Sequence, residues 1–259
     1  MKPLNKNSIT FLGTGTSVGI PMIGCPCEVC HSSDIRDQRM RTSALVRYHD
    51  QNILIDMGPD LRTQLLTHHI THIDAIVLTH SHRDHVAGFD DIRALNFLYG
   101  TKVPLYSSLV TWESIKKQFY YAFDNKEYTS LPEVQFNEIK EHSISINSLK
   151  IEVVEVLHGK MICYGYRFDN LAYITDCSYI SEKEKEKLRD LDILIINSLR
   201  KTPHHSHFSL QETLDIIEEL KPKRAYLIHL SHHMGFHEEV SASLPENVHI
   251  AYDGLTLSF

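Results

Sequence analysis

Residues 74–85 read Asp74-Ala-Ile-Val-Leu-Thr79-His80-Ser81-His82-Arg83-Asp84-His85. The apolar, β-branched run that ends at Thr79 predicts a short buried strand. The next six residues place three imidazoles and a carboxylate at the end of that strand. In an extended segment His80 and His82 alternate, so both point to one side. Asp84 and His85 follow where the chain turns into a helix, and can face a second metal ion. The bland alternative is a polar surface loop that happens to be rich in histidine, since the chain has 18 of them in 259 residues. An H-x-H-x-D-H string set directly on an apolar strand argues for metal ligation.

Composition sets the outer bounds. Hydrophobic content of 42% and charged content of 23% are ordinary for a soluble globular chain, and 259 residues suffice for one large domain or two small ones. No apolar stretch approaches membrane-spanning length, and Met1-Lys-Pro-Leu-Asn-Lys-Asn7 lacks a signal-peptide core, which predicts a cytoplasmic protein with no membrane partner. A formal charge of −7 disfavours an extended nucleic-acid surface. A small anionic substrate stays compatible with it, because bound metals reverse the local field.

Five cysteines are an odd number, and three of them sit together as Cys25-Pro-Cys27-Glu-Val-Cys30. Without an export signal such a cluster reads as a metal site before it reads as disulfides. Ahead of it, Gly13-Thr-Gly15-Thr-Ser-Val-Gly19-Ile-Pro21 follows the strand-like Ser8–Leu12. No Lys-Ser/Thr follows to make this loop a nucleotide cradle, so its expected role is to lead structurally into the cysteines.

Further along, 42–48 and 52–56 predict a hairpin, Leu61–His69 a helix, 86–98 a second helix and 103–107 a strand. A helix over 109–123 carries Trp112, Phe119, Tyr120, Tyr121 and Phe123, which read as packing residues. Residues 134–157 are mostly strand, and 162–168 and 171–175 are two more. Ser181 and Ser209 each stand three residues before a glutamate, as at the start of a capped helix, and Pro222 stops the second. Strands at 191–196 and 225–228 follow, and 247–252 with 255–259 are expected to close the chain as a hairpin. No linker, repeat or low-complexity run divides it, so residues 1–259 are expected to form one domain with a Cys-rich module at about 13–43.

The decisive pattern lies at the ends of the later strands. His158, Asp176 and His229 each follow directly on an apolar run, and Asp56 does the same with Met57-Gly58-Pro59 behind it. Singly, each reads as a surface histidine or a turn aspartate. Together with the first motif, His158, Asp176 and His229 make five histidines and two aspartates, about what two four-coordinate sites need if one carboxylate bridges. Asp56 is placed to orient a ligating imidazole from behind.

With these residues assembled, the chain resembles the metallo-β-lactamase superfamily, whose fold is an α/β (α+β) four-layer αββα sandwich. The resemblance spans about residues 8–254. It implies one ion on His80, His82 and His158, a second on Asp84, His85 and His229, and Asp176 between them. His-rich ligation suits Zn, and the carboxylates also allow Mn. Two ions about 4 Å apart can hold and acidify a bridging water, which suits hydrolysis of an ester whose transition state gains negative charge.

The glycine loop followed by Gly24-Cys25-Pro-Cys27-Glu-Val-Cys30 resembles the phosphoribosyl 1,2-cyclic phosphate phosphodiesterase (PhnP-like) family. That resemblance implies a structural Zn on Cys25, Cys27, Cys30 and His232, with His233 as the competing fourth ligand. It also implies that His207, within His207-Phe-Ser-Leu210, is the general acid to the leaving oxygen, His204 and His205 being the competitors. Asp84 and Asp176 complete the catalytic set. The implied substrate is a small phosphate ester, of the phosphoribosyl 1,2-cyclic phosphate or 2′,3′-cyclic nucleotide type.

Three relatives compete. Ribonuclease Z carries a long tRNA-gripping arm between the positions of His158 and Asp176, which are only 18 apart here. Glyoxalase-type thioesterases lack the Cys cluster, and a relative from pyrroloquinoline quinone biosynthesis shares it. A non-catalytic, metal-stabilised binding protein would show a decayed ligand set, and all seven positions here hold competent ligands. Arg83 reads as an exposed side chain that can reach the pocket mouth. The aromatic 112–128 stretch can pack internally or serve a homodimer.

Overall fold

Alternate residues of the central strands belong to different layers, and this parity builds the molecule. Ile53 and Ile55 face one cluster while Leu54 faces another; Ile193 and Ile195 part from Leu194 and Ile196 in the same way. Strands buried on both faces read as continuous apolar runs, which is why they stand out in the sequence. The computed structural model describes residues 7–124 and 130–259. The first six residues, read above for a signal sequence, and the end of the 112–128 aromatic stretch lie outside the described residues.

One sheet is built from β1 (Ser8–Gly13), β2 (Ser43–Tyr48), β3 (Gln51–Ile55), β4 (Ala75–Val77), β5 (Val103–Ser107) and β6 (Val134–Glu138). The other contains β7 (Ser143–Ile146), β8 (Leu149–His158), β9 (Met161–Phe168), β10 (Leu171–Ile174), β11 (Ile193–Asn197), β12 (Arg224–Ile228) and β13 (Val248–Ile250). The last strand, β14 (Thr256–Ser258), returns to the first sheet beside β1. Between the sheets lies a core including Phe11, Val46, Val77, Tyr166, Phe168 and Tyr173.

The outer face of the first sheet is covered by α1 (Leu61–Thr67), α3 (Ile92–Tyr99) and α4 (Leu109–Gln118), with Leu61, Ile92, Leu95 and Ile115 packed on Leu54, Ile76 and Leu105. The second sheet is covered by α7 (Leu210–Leu220) and α8 (His237–Ser243) through Ile217, Leu220 and Val240, with the short α6 (Glu182–Glu186) against β8. Two mixed sheets between two helical layers make the four-layer αββα sandwich. No helix among the described residues is long and apolar enough to cross a membrane.

The hairpin over 43–55 turns through His49 and Asp50, both at positive φ (46° and 66°), as a two-residue turn that matches strand twist requires. The expected terminal hairpin does not form. β13 pairs parallel with β12 in one sheet, whereas β14 pairs antiparallel with β1 in the other. Asp253-Gly254 carries the chain across the end of the sandwich, with Gly254 at φ 91° and its N–H donating to the Phe11 carbonyl. Two short strands split by a turn look the same locally whether they pair together or feed two sheet edges.

Two helices are also interrupted. The 86–98 region is a short α2 (Arg83–Val86), a 3₁₀ turn and then α3; the aromatic 109–123 segment is α4 followed by α5 (Tyr121–Asp124). Its rings pack as the residue types suggested, Trp112 stacking on Phe136 at 4.7 Å and Phe119 lying tilted against Phe89 at 5.1 Å.

Candidate metal centre

Strands β3, β4, β8, β10 and β12 all deliver their carboxyl ends to one edge of the sandwich, because β3–β5 and β10–β12 are parallel and β8 is antiparallel to β9, which in turn is antiparallel to β10. Asp56, Asp176 and His229 are the first or second residues beyond β3, β10 and β12. All three take left-handed backbone, at φ 61°, 52° and 56°. Aspartate tolerates that region, histidine less so, and the local strain marks positions over-determined by their surroundings.

The ligand atoms of His80, His82 and His158 lie within 4.8 Å of one another, as do those of Asp84, His85 and His229. Asp176 stands between the two groups. Its Oδ1 is 4.0 Å from His80 Nε2, 4.0 Å from His158 Nε2 and 3.3 Å from His229 Nε2, while Oδ2 is 3.2 Å from His85 Nε2. His82 is the exposed member, at the rim; His80, His85 and His229 are buried.

Hydrogen bonds behind the rings assign their tautomers. Thr79 Oγ1 donates its one proton to Asp56 Oδ2 at 2.8 Å, so it accepts from His80 Nδ1 at 2.9 Å. His85 Nδ1 donates to Asp56 Oδ2 at 2.7 Å, and His158 Nδ1 donates to the Ser206 carbonyl at 2.6 Å. In each of the three rings the Nε2 lone pair is thereby left facing the centre, which is how metal-ligating histidines are oriented.

Five buried ring nitrogens at the centre have no hydrogen-bond partner among the described residues: Nε2 of His80 and His85, both nitrogens of His229, and Nδ1 of His207. Unpaired buried polar atoms are costly, and most of these converge on one spot. Three carboxylates, Asp56, Asp84 and Asp176, also face His85. Against the opposing effect of burial, they favour a positive charge there, and the imidazoles His229, His85 and His80 hold Asp176 well below the usual carboxylate range. Burial and His85 drive His80 toward the neutral, lone-pair form. Donor set, lone-pair direction and charge all fit two divalent cations.

His207 belongs to the same cluster. Its Nδ1 is 3.8 Å from Asp176 Oδ1, and its ring lies 4.5 Å from that of His158 and 4.8 Å from that of His229. Burial and the neighbouring His229 push its pKa down to about 3. His204 lies farther out, its ring tilted and 5.3 Å from that of His207, and His205 is exposed.

Some supporting residues escaped the sequence reading. In the sequence Thr79 reads only as the end of a strand; in the fold its hydroxyl sits between Asp56 and His80. Asn197 grips Cys177, next to Asp176, through both backbone groups: its Oδ1 accepts from the Cys177 N–H at 2.7 Å and its Nδ2 donates to the carbonyl at 3.0 Å. A polar residue closing an apolar strand is the signal common to both. Cys163, fully buried, lies 3.6 Å from His80 Nδ1.

At the other site, the thiols of Cys25, Cys27 and Cys30 lie 3.2, 3.3 and 3.5 Å from His232 Nδ1. The four ligand atoms fall within 4.8 Å of one another, as a closed tetrahedral Zn site requires. The Cys30 amide N–H points at Cys27 Sγ and, although burial works against it, helps to push that thiol down to about 6. His233 lies tilted against His232 at 4.1 Å and is itself exposed, while His232 Nδ1 is the imidazole nitrogen presented to the thiols. The glycine loop reaches this region by backbone pairing, Thr16 N–H donating to Leu230 O at 2.9 Å and Leu230 N–H to Thr14 O at 3.0 Å.

Residues 51–230 match the model of the β-lactamase superfamily domain. The chain belongs to that superfamily and has the metallo-β-lactamase fold. It is similar over 98% of its length, and over 98% of the other chain, to a diphosphatase of the PhnP family, with 42% identity and a TM-score of 0.92. Zn²⁺-bound PqqB of Methylobacterium extorquens shares the fold at a TM-score of 0.74 and 19% identity, over 97% of this chain and all of that one. A protein named octanoyltransferase from Porphyromonas gingivalis is 37% identical over 95% of this chain. This chain spans about half the length of that relative, whose name describes a protein about twice as long as the matched region.

Proposed function

We propose that the protein hydrolyses a P–O bond in a small phosphate ester, with one divalent ion on His80, His82 and His158, a second on Asp84, His85 and His229, and Asp176 shared. The observation that carries the reading is His207: a buried imidazole nitrogen without a partner, beside the shared carboxylate, in a chain 42% identical to a diphosphatase. The ions, Zn or Mn, would supply Lewis acidity to the phosphoryl oxygens and acidify solvent.

The rest is the work of the chain. Asp56, Thr79 and Ser206 fix the ligand tautomers, and Asp176 stays ionised between the two groups. His207 carries a proton to the leaving oxygen as its bond to phosphorus breaks. A phosphate anion in the pocket supplies the negative charge that favours that proton, which the ligand-free pocket does not hold. Cyclic phosphodiesters of the phosphoribosyl or 2′,3′-nucleotide type fit such a site, and the diphosphatase likeness favours diphosphates as a second substrate class. Acyl transfer finds no support in the other two cysteines: Cys163 and Cys177 are fully buried, and burial pushes both thiols up. The interval between His158 and Asp176 is filled by β9 and β10 with no arm for tRNA.

The test compares kcat/KM on a 2′,3′-cyclic nucleotide, a nucleoside diphosphate ester and S-lactoylglutathione, for the wild type and His207→Ala. Cleavage of either phosphate substrate, reduced about 10²–10⁴-fold by the substitution with metal content intact, supports the reading. Preference for the thioester overturns it. Loss of metal from His207→Ala would make His207 a ligand and remove the proton-donor role.

A further inference from the structure

Arg39 is buried, 5% exposed, and its guanidinium makes no ion pair among the described residues. Its hydrogen bonds go to neutral acceptors: Nη1 to Thr14 Oγ1 at 2.7 Å and to the Ala251 carbonyl at 2.5 Å, Nη2 to His237 Nδ1 at 3.2 Å. Asp253 and Asp37 favour the charge from a distance, but their oxygens are spent elsewhere. Asp253 accepts from the Thr14 hydroxyl and the Met40 N–H, Asp37 from the Ser32 hydroxyl and the His237 N–H. Buried charges are ordinarily paired, so this one calls for an anion.

Arg39 is one wall of a cavity of about 380 Å³, set between the glycine loop, the 38–41 segment, the end of α1 and the Asp253–Gly254 crossing. The walls are built. Ile20 and Arg39 exchange backbone hydrogen bonds at 2.9 and 2.7 Å, and His68 lies over the crossing, its Cε1 3.4 Å from where a Cβ on Gly254 would stand. A second guanidinium lines the same space. Arg41 donates through Nε to the Ser17 carbonyl at 3.3 Å and through Nη1 to Asp60 at 3.1 Å, and its Nη2 has no partner among the described residues. Asp60 is spent on that bond and on the Arg41 N–H. The cavity thus has donors to spare, and its carboxylates are already engaged.

The rest of the lining is apolar. Val18, Ile20, Pro21 and Ile35 contribute to it, with Val18 45% and Ile35 77% exposed. At about 30 Å³ per water-sized unit the space takes about a dozen non-hydrogen atoms. It is separate from the metal centre. Gly58 stands between them, a Cβ there lying 2.2 Å from the Asp84 carbonyl oxygen and 3.6 Å from Arg41 Cβ.

We propose that this cavity is a binding site for a small amphipathic monocarboxylate, with its carboxylate held by Arg39 and Arg41 and its hydrocarbon tail against Val18, Ile20, Pro21 and Ile35. Guanidinium–carboxylate hydrogen bonds supply the anchor and the aliphatic lining supplies the selectivity for a tail. The site is independent of the phosphoesterase reading.

The experiment is calorimetry on the metal-loaded protein with heptanoate, acetate, 1-heptanol and inorganic phosphate. Heptanoate is expected to bind at least about tenfold tighter than acetate, through the buried methylenes. It should also bind at least about tenfold tighter than 1-heptanol, which has the tail without the charge. Ile35→Glu, at an exposed position that leaves the core untouched, should weaken heptanoate at least about tenfold. Arg41→Gln should bring heptanoate to within about threefold of 1-heptanol. Ile162→Glu, the same change at an exposed isoleucine on the other sheet, should leave binding as it is in the wild type. Heptanoate that binds no tighter than acetate or 1-heptanol, or binding unmoved by Ile35→Glu or by Arg41→Gln, overturns the site. Displacement of heptanoate by an equal concentration of inorganic phosphate overturns it too, since the cavity would then be a plain anion site.

Discussion

The carboxylate of Asp56 sits 2.7 Å behind the imidazole of His85, on the side away from the cluster of ligand atoms. The same oxygen takes the Thr79 hydroxyl, which holds His80. One buried aspartate therefore orients a ligand in each of the two metal groups, directly on one side and through a hydroxyl on the other.

Asp56→Asn is expected to weaken metal binding at both groups by about 10–100-fold, read by competition with a chromophoric chelator. Thr79→Val, which cuts only the branch to His80, should weaken one ion and spare the other. Equal loss of both ions in Thr79→Val would refute this division.

Gly58 lets the metal loop close. A Cβ there would stand 2.2 Å from the Asp84 carbonyl oxygen, a backbone atom with little room to yield. Gly58→Ala should lower kcat/KM at least about tenfold by displacing Asp84 and His85. Gly100 is the contrast: at φ 64° with nothing near, Gly100→Ala should cost about 1 kcal/mol of stability and leave activity alone.

His229 and His232 are three residues apart, one in each candidate metal group, and Leu230 between them is held by the glycine loop at Thr14 and Thr16. Cys27→Ser should therefore do more than remove one Zn. Elemental analysis is expected to show lower occupancy at the active centre as well, with a fall in Tm of at least about 5 °C. Full active-site loading in this variant would mean that the two sites are independent.

His237 gives the fold an acid-sensitive joint. Its Nδ1 accepts from the buried guanidinium of Arg39 at 3.2 Å, and its amide N–H donates to Asp37. Burial, then the Arg39 charge, pushes its pKa down to about 4 from an ordinary 6.5. The folded state thus binds fewer protons than the unfolded chain between these values. The stabilisation is present above pH 6.5 and is lost as pH falls toward 4, amounting to about 2 kcal/mol by pH 5. His237→Gln keeps an acceptor for Arg39 and cannot titrate. Urea unfolding of both proteins at pH 7.5 and pH 5, in the same metal buffer, should show a larger acid loss in the wild type. Parallel losses would remove His237 as a source of the acid sensitivity.

Much of this was legible in the chain itself. Strands buried on both faces announce themselves as apolar runs, and candidate ligands are residue types at strand ends, so His80, His82, Asp84, His85, His158, Asp176 and His229, which the fold brings together, could be gathered from order alone. The Cys cluster was equally plain, because three thiols at such close spacing read as a candidate metal site. What the chain could not declare was anything that depends on which edge a segment reaches. Residues 255–259 read as the partner of 247–252, yet β14 crosses to β1, since pairing is decided by free sheet edges distant in sequence. His232 and His233 were equivalent until the backbone turned one ring toward the thiols. Thr79 became a link between the two metal groups only when β3 and β4 brought Asp56 against it. Side-chain chemistry and burial periodicity are local properties that the sequence by itself determined; partner choice, ring direction and the convergence of charge on Asp176 come from contacts between residues far apart along the chain, and only the tertiary structure decided them.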